Sequence, residues 1–125
     1  MIFGIGTDLC AADRMAAKLQ KPAFVQRVFS QAEQALLNER DGTHRAETAA
    51  ANFAAKEAFL KAAGTGLGGF ALTDLTVLRK ESGAPYFALP GPAAEWTAAN
   101  ALTPHLSLTH ENGLACAFVI LEQNK

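Results

Sequence analysis

Sulfur chemistry is scarce in this sequence. Its two cysteines, Cys10 and Cys116, stand in apolar or small-residue surroundings, and neither belongs to a C-x-x-C pair. That excludes a dithiol redox motif and a cysteine-built zinc site, and it leaves buried free thiols suited to a reducing compartment. No sign of charge dominates either. Eleven Lys and Arg oppose twelve Asp and Glu, for a formal net charge of −1 and a pI near 6.3. A global basic field for nucleic acid or an anionic membrane is therefore absent. No apolar run approaches the ~20 residues that span a bilayer. The opening "MIFGIGTD" lacks the basic flank and long apolar core of a signal peptide. The expectation is a soluble cytoplasmic protein. Repeats, low-complexity tracts and long linkers are missing too.

What is present is apolar material. Hydrophobic residues make up 50% of the 125 and charged residues 18%, enough for the core of a single domain over 1–125. Met1 to Thr7 alternates as a strand, with Ile2, Gly4 and Gly6 on one face and Phe3 and Ile5 on the other. Two glycines in so short a strand imply that another backbone or a ligand comes close. Asp8 is expected to close this strand, and Asp13 to cap a short helix ending before Pro22. Ser30-Gln31-Ala32-Glu33 has capping-box spacing and starts a helix from about Gln31 to Arg40. "RDGTHR" breaks it. A longer helix then runs from about Ala46 to Ala63, with Gly64 as its C′ residue.

The second half reads as strands. Leu75 to Arg79 is followed by the turn Ser82-Gly83-Ala84-Pro85 and a return from Tyr86 to Leu89. Pro90-Gly91-Pro92 opens a short helix through about Asn100, with Trp96 inward. His105 to Thr109 alternates, and Asn112-Gly113 is a hairpin signal. Leu114 to Leu121 is almost continuously apolar, which reads as a strand covered on both faces and as a candidate oligomer-facing strand. The order is βαα, then αββαββ. The fold class is α+β, with an antiparallel sheet packed against a long central helix.

Four features carry chemistry. Glu57 and Lys61 stand four apart in "FAAKEAFLKAAGTG", on one helix face. As a solvated pair they would contribute only ~0.2–0.5 kcal/mol. Asp8, after a glycine-bearing strand, is otherwise a turn or cap residue. Converging with Glu57 it makes a two-carboxylate oxygen site of the kind Mg²⁺ uses, with waters and substrate phosphates completing the shell. Lys61 then faces those phosphates as a point charge. "GTGLGG", Gly64 to Gly69, places four glycines in six residues, which lets backbone N–H groups approach an anion. It follows a helix and lacks a closing Gly-Lys-Ser/Thr, so it is not a P-loop. Finally, "HLSLTHENG" puts His105, Ser107 and Thr109 on one strand face and His110 at the hairpin mouth. Ser107 and His110 point to opposite faces, and no nucleophile elbow supports a hydrolase. The three histidines lack metal-ligand spacing.

"GIGTD", "FAAKEAFLKAAGTG" and "HLSLTHENGLACAFVI", in that order and with the Gly83-Ala84-Pro85 turn, resemble the bacterial holo-[acyl-carrier-protein] synthases. These are the small class of 4′-phosphopantetheinyl transferases, and the resemblance covers essentially the whole chain. It implies transfer of 4′-phosphopantetheine from coenzyme A to a serine of an apo-acyl carrier protein. The other product is adenosine 3′,5′-bisphosphate, and the reaction supports fatty acid biosynthesis. It implies Mg²⁺ held by Asp8 and Glu57 on the coenzyme A pyrophosphate, with Lys61 on the same phosphates. Gly64, Thr65, Gly66, Pro85, His105 and Ser107 would bind coenzyme A. Arg14 and Lys18 on the first helix would meet the acidic carrier, and the assembly would be a homotrimer with sites shared at subunit interfaces. The serine proton has three candidate acceptors: Glu57, a metal-held water and His110. One departure is Asn52, where relatives often carry arginine before "FAAKEA"; that arginine could bind a coenzyme A phosphate, with Arg45 or another subunit as replacement. Two other readings compete. They are a non-catalytic coenzyme A or nucleotide-binding module, and a trimeric interaction domain whose Glu57–Lys61 pair is only solvated.

Overall fold

The computed structural model describes residues 1–65 and 69–124. It contains β1 (Ile2–Ala11), α1 (Ala12–Lys18), α2 (Pro22–Val28), α3 (Gln31–Asn38) and α4 (Gly42–Ala63). A 3₁₀ turn at Leu72–Asp74 leads to β2 (Thr76–Arg79), β3 (Pro85–Ala88), α5 (Gly91–Ala99), β4 (Leu102–Glu111) and β5 (Leu114–Gln123). The fold is α+β. An antiparallel sheet in the order β1-β5-β4 covers α4, and β2-β3 forms a separate hairpin. Among the described residues no helix is long and apolar enough to cross a membrane.

Small residues decide how β1 meets α4. A Cβ on Gly4 would lie 1.9 Å from the Ala62 carbonyl oxygen, and one on Gly6 would lie 1.9 Å from that of Ala58. The two glycines thus answer to a neighbouring backbone, because only a Cα without a Cβ fits against the helix. On the facing side of α4, Ala54, Ala55, Ala58 and Ala62 are buried with Phe59. Alternate β5 residues Ala117, Val119 and Leu121 close the same core, and Ala115 packs in a second cluster with Met15 and Phe29. Trp96 of α5 does turn inward, with its ring centroid 6.3 Å from Phe59 and 5.6 Å from Phe70.

Several local expectations hold. Ser30 and Glu33 form the capping box at α3, with the Ser30 N–H donating to Glu33 Oε1 at 3.0 Å and the Glu33 N–H to Ser30 Oγ at 3.3 Å. Gly64 ends α4 in the left-handed region at φ 75°. Asn112 and Gly113, at φ 52° and 74°, turn β4 into β5.

Other expectations are corrected. β1 continues past Thr7, so Asp8 sits within the strand, opposite Ala117, and does not terminate it. Asp13 does not cap α1; the N-cap is Ala11 and Asp13 lies in the first turn, where a carboxylate favours the helix dipole. Pro22 begins a helix as well as ending the previous turn: α2 starts there because proline's missing N–H costs nothing at a first helical position. α4 begins at Gly42, four residues before Ala46. Leu114–Leu121 is covered on one face only. On the other, Leu114 and Phe118 remain 46% and 45% exposed beside Ile5 and Leu9 of β1.

Candidate functional site

β1 is an edge strand, and its close approach to α4 brings Asp8 beside the last two turns of that helix. Lys61 reaches the edge and donates to the Thr7 carbonyl at 2.9 Å, with its Nζ 3.2 Å from Asp8 Oδ1. Among the described residues Lys61 makes no ion pair with Glu57; its partner is Asp8. The four-residue spacing therefore aligns the two side chains without joining them. Glu57 is half-buried, and its pKa is raised by burial first and then by the charge of Asp8, while Lys61 acts in the opposite direction. Two carboxylates and one ammonium thus share one electrostatic site, with the cation too few to balance it. A hollow of about 400 Å³ opens there, lined by Thr7, Asp8, Leu9, Lys61 and Cys116.

Two hard oxygen donors beside open volume fit a small divalent cation that keeps several waters. Among the described residues no three His, Cys, Asp or Glu converge elsewhere to form a fuller cage.

The remaining sequence-derived residues lie apart from this cluster. His105 and Ser107 occupy the exposed face of β4, opposite Ile120 and Phe118 of β5. β5 separates them from β1. His105 Nε2 lies 2.9 Å from Glu122 Oε1. Thr65 is exposed just past Gly64, and Gly66 lies outside the described residues. Pro85 opens β3, opposite Arg79 of β2. His110 faces a hollow of about 360 Å³ near the other end of α4, with Arg40, His44, Glu47, Arg79 and Gly83 around it. Glu47 and Glu57 are ten residues apart on α4, about 15 Å of helix rise, so one chain does not bring His110 to Glu57. Arg14 is exposed on α1. Lys18 is half-buried, its ammonium 5.5 Å from the Phe24 ring centre and 5.8 Å from that of Phe53.

The basic hollow at His110 was not apparent from the sequence, because its arginines come from the α3–α4 connection and the end of β2. Arg40 Nη1 is buried with no hydrogen-bond partner among the described residues. Arg79 has its pKa pushed down to about 10 by burial and then by Arg40, with Glu33 opposing. Two crowded guanidiniums, one with an unused donor, give this hollow groups that can pair with an anion, although Glu47 also lines it.

A second surprise lies in the interior between α3, α4 and β2. Lys56 and Glu33 are both fully buried. Lys56 Nζ donates to Glu33 Oε1 at 2.6 Å and to the Leu72 and Leu75 carbonyls at 2.7 and 3.2 Å. Burial pushes the Lys56 pKa down, and the Glu33 charge pulls it back up. Glu33 Oε2 accepts from Asn52 Nδ2 at 3.0 Å and from the Val77 N–H at 3.2 Å. Asn52 is thus a buried strut, not a surface contact, and Arg45 lies elsewhere, in a hollow beside Leu19 and Gln20. The signal available in the sequence was Glu33 itself, a capping residue placed where the chain also needed a buried counter-charge.

The sequence pattern of the 4′-phosphopantetheinyl transferase superfamily matches residues 4–119. A holo-[acyl-carrier-protein] synthase of Sphingopyxis alaskensis is 45% identical, over 100% of this chain and 99% of the relative. The crystal structure of a holo-(acyl-carrier-protein) synthase from Bacillus anthracis in complex with CoA (3′,5′-ADP) superposes with a TM-score of 0.85 at 31% identity, covering 99% of each chain. A holo-[acyl-carrier-protein] synthase from Neisseria meningitidis gives a TM-score of 0.88 at 30% identity, covering 98% of this chain and 100% of its own.

Proposed function

This chain belongs to the 4′-phosphopantetheinyl transferase superfamily, and on that premise we propose that it is a holo-[acyl-carrier-protein] synthase formed by one domain over residues 1–125. It transfers 4′-phosphopantetheine from coenzyme A to a serine of an apo-acyl carrier protein. The serine oxygen forms a bond to the phosphorus that bears pantetheine. The bond from that phosphorus to the bridging oxygen of the pyrophosphate breaks, and adenosine 3′,5′-bisphosphate leaves with the oxygen. The observation that carries the reading is the cluster of Asp8, Glu57 and Lys61 at the β1 edge.

Each residue has a task there. Asp8 and Glu57 would hold Mg²⁺, which when bound supplies Lewis-acid neutralisation of the pyrophosphate. Lys61 adds a fixed positive charge for the leaving phosphate, where phosphoryl transfer gains most from positioning and charge stabilisation. Glu57, or a water held by the metal, takes the serine proton. The basic hollow of Arg40, His44, Arg79 and His110 receives the 3′-phosphate, and this assigns His110 to binding the coenzyme.

The same coenzyme A cannot reach both places within one chain. Its 3′-phosphate and pyrophosphate hang on one ribose, whereas Glu47 at the basic hollow and Glu57 at the carboxylate cluster lie about 15 Å apart along α4. We therefore assign each complete site to two chains of a homotrimer, joined through the exposed apolar face of β1 and β5 with Ile5, Leu9, Leu114 and Phe118. His105 and Ser107 share that face and would contact coenzyme A across the interface. Gly64, the C′ residue of α4, would contact the coenzyme. Arg14 and Lys18, together with Arg27 beside the Phe24 ring, form a basic and aromatic patch for the acidic carrier. The protein works in the cytoplasm and supports fatty acid biosynthesis.

The test is direct. Incubate the protein with coenzyme A, Mg²⁺ and apo-acyl carrier protein, and weigh the carrier by mass spectrometry. The carrier gains one phosphopantetheinyl group. An unchanged carrier mass with every carrier tried refutes the transferase assignment.

A further inference from the structure

The site already has a cation of its own, and that cation sits on a carboxylate assigned to the metal. Lys61 Nζ lies 3.2 Å from Asp8 Oδ1 and donates to the Thr7 carbonyl at 2.9 Å. Both partners belong to β1. The ammonium is therefore committed to the strand and not to Glu57 on its own helix. A divalent cation arriving at Asp8 meets an occupied oxygen and a positive charge within a few ångströms of its place. Like charges at that range repel, and an oxygen already bonded to an ammonium is a poorer ligand. Lys61 is also able to leave. Its side chain is 58% exposed, on a flexible four-carbon stem that lets the ammonium move between partners.

We propose that Lys61 is the resting counter-ion of Asp8, competing with the divalent cation in the free protein and released to the coenzyme pyrophosphate when coenzyme A binds. This rests on the transferase reading above. The exchange makes the two ligands cooperative. Phosphate draws the ammonium off Asp8, and the freed carboxylate then takes the metal. By linkage the metal must favour coenzyme binding by the same factor. A protein built this way holds its metal weakly until its substrate is present.

Mn²⁺ serves as the probe. Its free concentration is followed by electron paramagnetic resonance as it is titrated into the full-length protein. Wild type, Lys61→Met and Lys61→Gln are compared, each with and without coenzyme A. Without coenzyme, both variants should bind Mn²⁺ about two- to fivefold more tightly than wild type, the range set by losing one exposed ion pair. With coenzyme, wild type should gain more in Mn²⁺ affinity than either variant. Equal or weaker Mn²⁺ binding by both variants without coenzyme overturns the counter-ion role. Tightening in Lys61→Met alone also overturns it, because bulk and not charge would then be the cause. Mn²⁺ binding by no form of the protein, with or without coenzyme A, refutes the metal site itself and the inference with it. Coenzyme-dependent Mn²⁺ binding by wild type with no tightening in the variants leaves the transferase reading intact and removes only this inference.

Discussion

Replacing Gly6 by alanine should damage catalysis through a backbone contact that touches no reacting atom. The new Cβ would fall 1.9 Å from the Ala58 carbonyl oxygen, and a carbon rests no closer than about 3.3 Å to such an oxygen. β1 and α4 must therefore part by about 1.4 Å. The helix has little room to retreat, since Ala54, Ala55, Ala58 and Phe59 are all fully buried. Asp8 rides on β1 two residues away, while Glu57 precedes Ala58 on α4. The separation opens the 3.2 Å contact between Lys61 and Asp8 and pulls the two carboxylates apart. Overpacking of this kind costs about 1–3 kcal/mol of stability. A misplacement of roughly 1 Å costs about a hundredfold in rate. Urea unfolding gives the first quantity and steady-state transfer to the carrier protein the second. A Gly6→Ala protein with wild-type transfer kinetics would refute the claim that this backbone contact sets the site.

Lys56→Met should lower the unfolding free energy by about 3–5 kcal/mol, because it strands the buried Glu33 carboxylate; Lys56→Met combined with Glu33→Gln should recover most of that loss in urea titrations, and equal losses in the two proteins would count against charge pairing as the cause. Phe118→Glu should leave monomers in light scattering, as a charge replaces an apolar side chain on the open sheet face; an unchanged trimer mass would move the interface elsewhere. Reversing both Arg14 and Lys18 to glutamate should raise KM for the carrier about tenfold or more with little change in kcat, and an unaltered KM would remove the docking patch from α1.

Much of this was legible in the sequence where the signal is local. The capping box at Ser30–Glu33, the glycine end of α4 and the Asn112-Gly113 hairpin depend on a few neighbouring residues, and each forms as its residues dictate. The glycines of β1 announced a close approach, and the partner is the α4 backbone. Pairing partners were harder to read. Helical spacing aligned Glu57 with Lys61, yet the ammonium turns to Asp8, which is 53 residues away in sequence. Pro22 carried two meanings, helix stop and helix start, and the second created α2. The length of β1 escaped because Asp8 is a poor strand former by itself, but pairing with Ala117 and the ammonium of Lys61 hold it in place. Least visible were the residues gathered from distant elements. Lys56 looks like a surface lysine until α3 brings Glu33 over it. The basic hollow exists only because the α3–α4 connection, α4 and the β2–β3 hairpin place Arg40, His44 and Arg79 beside His110.

The central claim is that Lys61 serves the pyrophosphate and not the helix, and one rate measurement tests it. Single-turnover transfer from coenzyme A to apo-acyl carrier protein, followed by carrier mass, is compared for wild type and Lys61→Ala at saturating Mg²⁺, with melting temperatures measured alongside. Losing one fixed cation on the leaving phosphate should slow transfer by roughly a hundred- to a thousandfold, the cost of about 2.7–4 kcal/mol of transition-state stabilisation. The melting temperature should barely move, since an exposed ion pair adds only a few tenths of a kcal/mol. Lys61→Ala transferring at the wild-type rate would contradict the account.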